Sequence, residues 1–299
     1  MSGRNQTATG VLFALSSIVL VQLGSAVSMP IFDQIGPAGT AWLRLCWSGV
    51  IFVAIARPRP WTMPRADLVA AVALGLVTAG MTVLFGEAIA RIPLATAVSI
   101  EFLGPLTVAV LRRTGRWGLA WPPLALAGIA LVTQPWGGVT NVSGVVLALG
   151  AGTCWGAYIL LTQRVGDRLH GVTGLAISMP VAALIATPVG LAQALPQLDA
   201  FVIFKCAGLA LLSPAIPYVL EMFALRKLAA ATFGTLMSVE PAAALVVGLV
   251  ILRQIPGIGP MFGILFVTVA AIGAARTDHR SKPDEAIAPF SNRPDGAEV

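Results

Sequence analysis

Apolar residues fill this chain in runs of about twenty, separated by short breaks of arginine, lysine, proline and glycine. Each run is long enough to cross a bilayer as a helix. Read between the breaks, the pattern predicts ten helices, over residues 9–29, 38–56, 66–90, 93–111, 119–134, 143–163, 171–193, 201–224, 230–252 and 257–275. The fifth is short and carries Pro122 and Pro123 near its start. Residues 276–299 lose the apolar pattern and read as a disordered tail.

Composition supports the membrane setting. Of 299 residues, 57% are hydrophobic and only 11% are charged, where a soluble domain carries roughly 25% charged residues. The fold class expected is therefore all-α, a polytopic membrane protein. The net charge of +6 does not signal a nucleic-acid partner, because the basic residues lie in the gaps between runs instead of clustering with aromatics on one face. The N-terminal run from Gly10 to Met29 is long for a cleaved signal peptide and reads as an uncleaved first span. Cys46, Cys154 and Cys206 are isolated inside apolar runs, and His170 and His279 are scattered, so neither a metal centre nor a cofactor is expected.

The basic residues also orient the chain. With a cytoplasmic N-terminus, the inner segments hold fifteen of the 19 Lys and Arg, from Arg4 through Arg57, Arg112, Arg164 and Lys227 to the tail. The outer ends hold only Arg91, Lys205 and Arg253, and Arg44 lies inside a span. That bias requires an even number of spans, so ten spans with both termini inside follows.

The second half of the chain resembles the first. Glu87 falls on Glu221 and Pro105 on Pro241, at offsets of 134 and 136. Residues 9–136 and 143–275 then form two five-helix repeats, and an odd number of helices inverts the second copy relative to the first. Secondary transporters are often built this way, with the site at the midplane and with proline-interrupted helices beside it. Pro105 in GPL and Pro241 in EPA mark such interruptions, as helix hinges, in the fourth and ninth helices.

Ionisable groups at membrane depth are functional candidates. Arg44 and Glu101 lie at similar depths, roughly 10 Å and 12 Å from one side at 1.5 Å per residue. Either they form a static salt bridge, or Arg44 meets a substrate carboxylate while Glu101 meets an amine or carries a proton. Glu240 sits near the midplane with no cation predicted at its depth; it contacts substrate or proton, or else caps the backbone opened by Pro241. Glu87 reads as an interfacial pair with Arg91, and Glu221 as a surface group near Arg226 and Lys227. Tyr158, with Trp155 and Gln163, and Tyr218 are candidate cavity residues, against the alternative of packing. Gly152 and Gly156 form a GxxxG step that favours close helix contact. Asn141-Val-Ser143 matches a glycosylation triplet but abuts a span.

Three stretches carry a resemblance: IEFLGPLTVAV (100–110), LALGAGTCWGAYILLTQRVG (147–166) and IPYVLEMFALRKLAAATFGTLMSVEPAAAL (216–245). On these the chain resembles the ten-helix EamA branch of the drug/metabolite transporter superfamily, and within it the bacterial threonine/homoserine exporters. The resemblance implies an exporter of small amphipathic metabolites in the bacterial cytoplasmic membrane, driven by protons, and small amino acids are the cargo expected first. The helix-one region and the loop RKLAAA match only loosely, which leaves room for other metabolites or drugs as cargo. A membrane-embedded enzyme is disfavoured, because the seven aspartates never cluster for Mg²⁺ and no GxSxG or HExxH occurs.

Overall fold

The computed structural model describes residues 3–111, 121–134, 141–166, 172–228, 233 and 236–277. Every regular element among them is helical: α1 (Gly3–Ile35), α2 (Pro37–Ala56), α3 (Arg65–Ile89), α4 (Leu94–Glu101), α5 (Leu103–Leu111), α6 (Trp121–Thr133), α7 (Val142–Gly166), α8 (Thr173–Ala194), α9 (Ala200–Ala210), α10 (Ile216–Lys227), α11 (Glu240–Val250) and α12 (Ile258–Thr277). Among the described residues, six helical stretches are long and apolar enough to cross a membrane: Thr7–Ile35, Pro37–Ala56, Arg65–Ile89, Val142–Thr162, Thr173–Gln197 and Ala200–Glu221. Four shorter apolar helices, Leu94–Val108, Trp121–Thr133, Glu240–Val250 and Ile258–Gly273, fall where the fourth, fifth, ninth and tenth spans are expected. The tail beyond Thr277, the basic loop with Arg112, Arg113 and Arg116, and most of the first part of the ninth expected span lie outside the described residues.

The chain is turned inside out relative to a water-soluble domain. Leu12, Val69, Leu184 and Phe204 stand exposed on outward faces, while Ser17, Gln22, Ser28, Thr78, Glu101 and Glu240 are buried. Acyl chains solvate apolar side chains as well as a protein interior does, so polar groups are the ones driven inward. Ser25, Thr78, Ser99 and Thr187 each donate to the carbonyl four residues back and so satisfy their hydroxyls within their own helix.

Helix contacts are close because glycines line them. In α7, Gly152 and Gly156 pack on the α4–α5 junction: a Cβ on Gly104 would overlap the Gly152 carbonyl, and one on Gly152 would stand 2.5 Å from the Glu101 carbonyl. The expected GxxxG contact is formed, and it is made beside Glu101. Gly24 of α1 does the same for Ser213, and Gly128 and Gly263 meet between α6 and α12.

Polar side chains fasten one end of the bundle. Asn141 caps α7, its Oδ1 accepting from the Gly144 N–H at 3.2 Å and from Ser143 Oγ, so the glycosylation-like triplet is a helix cap here. Asp199 caps α9 through the Val202 N–H at 2.7 Å. The α4 N-terminus takes Gln254, whose Oε1 accepts from the Leu94 N–H at 3.0 Å. For α2, Gln193 of α8 accepts from the Ala38 N–H at 2.9 Å.

Candidate functional site

Three expected single spans are broken in the structure, and acidic residues sit at or near the breaks. The fourth span is interrupted at Phe102, between α4 and α5. Pro105 has no N–H to give the Glu101 carbonyl, which faces Gly152 instead. Glu101 is thus the last residue of α4, its carboxyl buried and without a hydrogen-bond or ion-pair partner among the described residues. In the ninth span, Glu240 opens α11 with Pro241 directly behind it. A carboxylate at a helix N-terminus meets the positive end of the helix dipole, and Pro241 is tolerated there because first-turn N–H groups have no helical acceptor. Both prolines therefore mark breaks, as their positions predict.

The third break lies in the eighth expected span. Leu211–Ala215 forms a π-helical turn between α9 and α10, with Ser213 in an extended conformation (φ −162, ψ 118) and a cis Ser213–Pro214 bond. Beyond it, α10 presents Tyr218 and, three residues later on the same face, Glu221. Tyr218 pairs with Tyr158 of α7, ring centroids 6.0 Å apart and planes inclined by 36°. Glu221 accepts from Ser17 Oγ of α1 at 2.8 Å.

These groups converge. Glu240 lies within electrostatic range of both Glu101 and Glu221, and Glu221 within range of both tyrosines. Five helical segments (α1, α4, α7, α10 and α11) thus bring three carboxylates, two phenols and a serine hydroxyl together inside the bundle. Three carboxyl groups in a low-dielectric interior cannot all be ionised without a cation, so the arrangement suits a protonated amine, or protons on the carboxyls themselves.

One of the two alternatives for Arg44 and Glu101 is excluded, and the expectation for Glu221 needs correction. Arg44 and Glu101 do not form an ion pair: the guanidinium of Arg44 is held by Ser213 and Ser28, with Nε donating to the Ser213 carbonyl at 2.9 Å. Matched depth placed both at one level, but depth says nothing about which face of each helix they occupy. Glu221 is not an interfacial surface group either; it is half-buried in the cluster and bonded to Ser17. The available signal was its i,i+3 spacing from Tyr218, which puts both on one face of a helix. Nothing in the sequence pointed to Ser17. Glu87 does pair with Arg91 as expected, and its other oxygen accepts from Gln193 Nε2 at 2.9 Å. Trp155 packs edge-on against Phe102, centroids 5.6 Å apart, and so buttresses the break in the fourth span. The side chain of Gln163 lies outside the described residues.

The chain is similar in sequence to known proteins. The threonine/homoserine exporter RhtA of Salmonella typhimurium (strain LT2) is 37% identical over 268 residues, covering 89% of this chain and 88% of that protein. RhtA of Escherichia coli K12 is 36% identical over 247 residues, covering 82% and 83%. The EamA-like transporter family matches residues 142–276.

The chain belongs to the EamA-like transporter family.

A solved crystal structure of another protein shares the fold, with a TM-score of 0.62 at 16% identity over 91% of this chain and 98% of that one. The EamA match takes in Tyr158, Tyr218, Glu221 and Glu240, while Arg44, Ser17 and Glu101 come from the half before it. The family is one of transporters and not of enzymes.

Proposed function

We propose that this EamA protein exports small amino acids of the threonine/homoserine kind across the bacterial cytoplasmic membrane, by proton-coupled alternating access. The observation that carries the reading is the 37% identity to threonine/homoserine exporters over nearly the full length of both chains. The site chemistry supports it: a small zwitterion brings its own ammonium group to the buried carboxylates, and its hydroxyl suits phenol and serine partners.

Ten spans with both termini cytoplasmic, in two inverted repeats over 9–136 and 143–275, complete the proposal. Helix pairing favours this arrangement. With the offset of about 134, α1 corresponds to α7, α2 to α8, α3 to the α9–α10 span and α6 to α12. The extensive packings are then either between mates (α2 with α8, α6 with α12) or members of interchangeable pairs (α3 with α7 and α1 with α10; α3 with α8 and, less extensively, α2 with α9). A two-fold relation in the membrane plane produces that pattern, and it supplies two equivalent packings open to opposite sides. In this scheme Glu101 and Glu240 carry the proton or contact the amine, Tyr158 and Tyr218 line the substrate path, and Pro105 and Pro241 are hinges.

The test is efflux of labelled threonine and homoserine from cells expressing wild type or Glu240→Gln, with and without an imposed pH gradient. The wild type is expected to export both, faster with the gradient, and Glu240→Gln to lose the gradient response. Efflux no faster than from cells without the protein would refute amino-acid export, and an unaltered gradient response would remove Glu240 from the coupling. Protection against toxic compounds other than amino acids would assign the cargo to another class.

A further inference from the structure

Pro214 and Pro217 have no N–H to donate, so the carbonyls of Ala210 and Ser213 lose their partners four residues on. Such a carbonyl inside a membrane bundle needs another donor. Arg44 of α2 supplies it: Nε donates to the Ser213 carbonyl at 2.9 Å and Nη2 to Ser213 Oγ at 2.9 Å, with Nη1 at 3.4 Å from Ser28 Oγ. The contact is closed from the far side by α1, where a Cβ on Gly24 would stand 2.5 Å from that of Ser213. A residue larger than glycine there would push Ser213 off the guanidinium.

Arginine recognises a carboxylate through two parallel N–H groups. The Nε/Nη2 edge of Arg44, one of its two such edges, is already taken by the two oxygens of Ser213, and the other is engaged at Nη1. Meanwhile α10 starts directly after the break, and its direction sets where Tyr218 and Glu221 stand in the site. Resting on the export reading above, we infer that Arg44 is a positioning residue: it clamps the break in the eighth span through Ser213 and thereby aims Tyr218 and Glu221, and it is not the ligand of the substrate carboxylate.

The two roles predict opposite signs for Ser213→Ala. If Arg44 acts through Ser213, removing Oγ loosens the clamp and lowers transport. If Arg44 binds the substrate, removing a competing acceptor frees it and strengthens substrate binding. Wild type, Arg44→Gln, Ser213→Ala and the double variant are to be reconstituted into vesicles, and threonine export and the thermal unfolding midpoint recorded for each. The expected result is a maximal export rate lowered at least about tenfold by Ser213→Ala and at least about a hundredfold by Arg44→Gln, as for loss of one and of several hydrogen bonds to a charged group. KM should change by less than about twofold in both, and the double variant should be no worse than Arg44→Gln. A KM raised by Arg44→Gln and lowered by Ser213→Ala overturns the inference. Should Arg44→Gln not be recovered folded, the sign of the Ser213→Ala effect decides alone. If wild type exports no threonine, the export reading fails separately. The unfolding midpoints then decide the clamp: less-than-additive shifts support it and additive shifts overturn it.

Discussion

Gln193 of α8 and Glu87 of α3 are joined at one end of the bundle, the amide Nε2 donating to Glu87 Oε1 at 2.9 Å. The oxygen of the same amide accepts from the Ala38 N–H at 2.9 Å and the Gly39 N–H at 3.4 Å, the free donors that open α2. One side chain therefore ties three helices, and it caps a helix that has no cap of its own because its N-cap residue is Gly36. Gly36 is required twice over: its φ of 73 is in the left-handed region, and a Cβ there would overlap the Gln193 amide.

Gln193→Leu, of similar volume, should accordingly lower stability by about 1–2 kcal/mol, the usual cost of a lost cap. Gly36→Ala should cost more, since it adds backbone strain and displaces Gln193. Thermal unfolding midpoints in detergent check both, and the order of the two variants is the discriminating result.

Close packing at the α4–α5 junction separates two glycines that look alike in sequence. Gly104→Ala must force α5 away from α7, at about 1–3 kcal/mol for overpacking, and should reduce export by moving Glu101. Gly208 of α9 has nothing within 4 Å of where its Cβ would lie. Gly208→Ala should therefore leave export unchanged and stabilise the helix by about 0.5–1 kcal/mol. Unfolding midpoints and threonine efflux, measured on both variants, test the contrast.

Ser17 and Glu221 divide support from function in the site. Ser17→Ala removes the donor at 2.8 Å from Glu221 and should cost about 1.5–3 kcal/mol, as for a bond to a charged group. Glu221→Gln keeps an acceptor for Ser17, so it should preserve the fold while lowering threonine export at least about tenfold. Equal export by Glu221→Gln and wild type would remove Glu221 from the transport cycle.

By itself the sequence determined the membrane class, the approximate limits of many of the helices and two of the three breaks, while the break at Ser213 in the eighth expected span came only from the structure. Those properties are local: twenty apolar residues suit a bilayer wherever they fold, and a proline withholds a backbone donor wherever it stands, although α1 and α8 run unbroken through Pro30, Pro180 and Pro188. Pro105 and Pro241 were readable for that reason, and Glu101, Glu240, Tyr158 and Tyr218 stood out as polar groups in apolar runs. Only the tertiary structure decided which of these groups meet. Depth along a helix does not give the direction of a side chain around it, so Arg44 and Glu101 looked like partners, while Arg44 binds a carbonyl orphaned by Pro217 in another span. Glu221 looked peripheral until α1, packing along the eighth span, brought Ser17 to it and closed it inside the bundle.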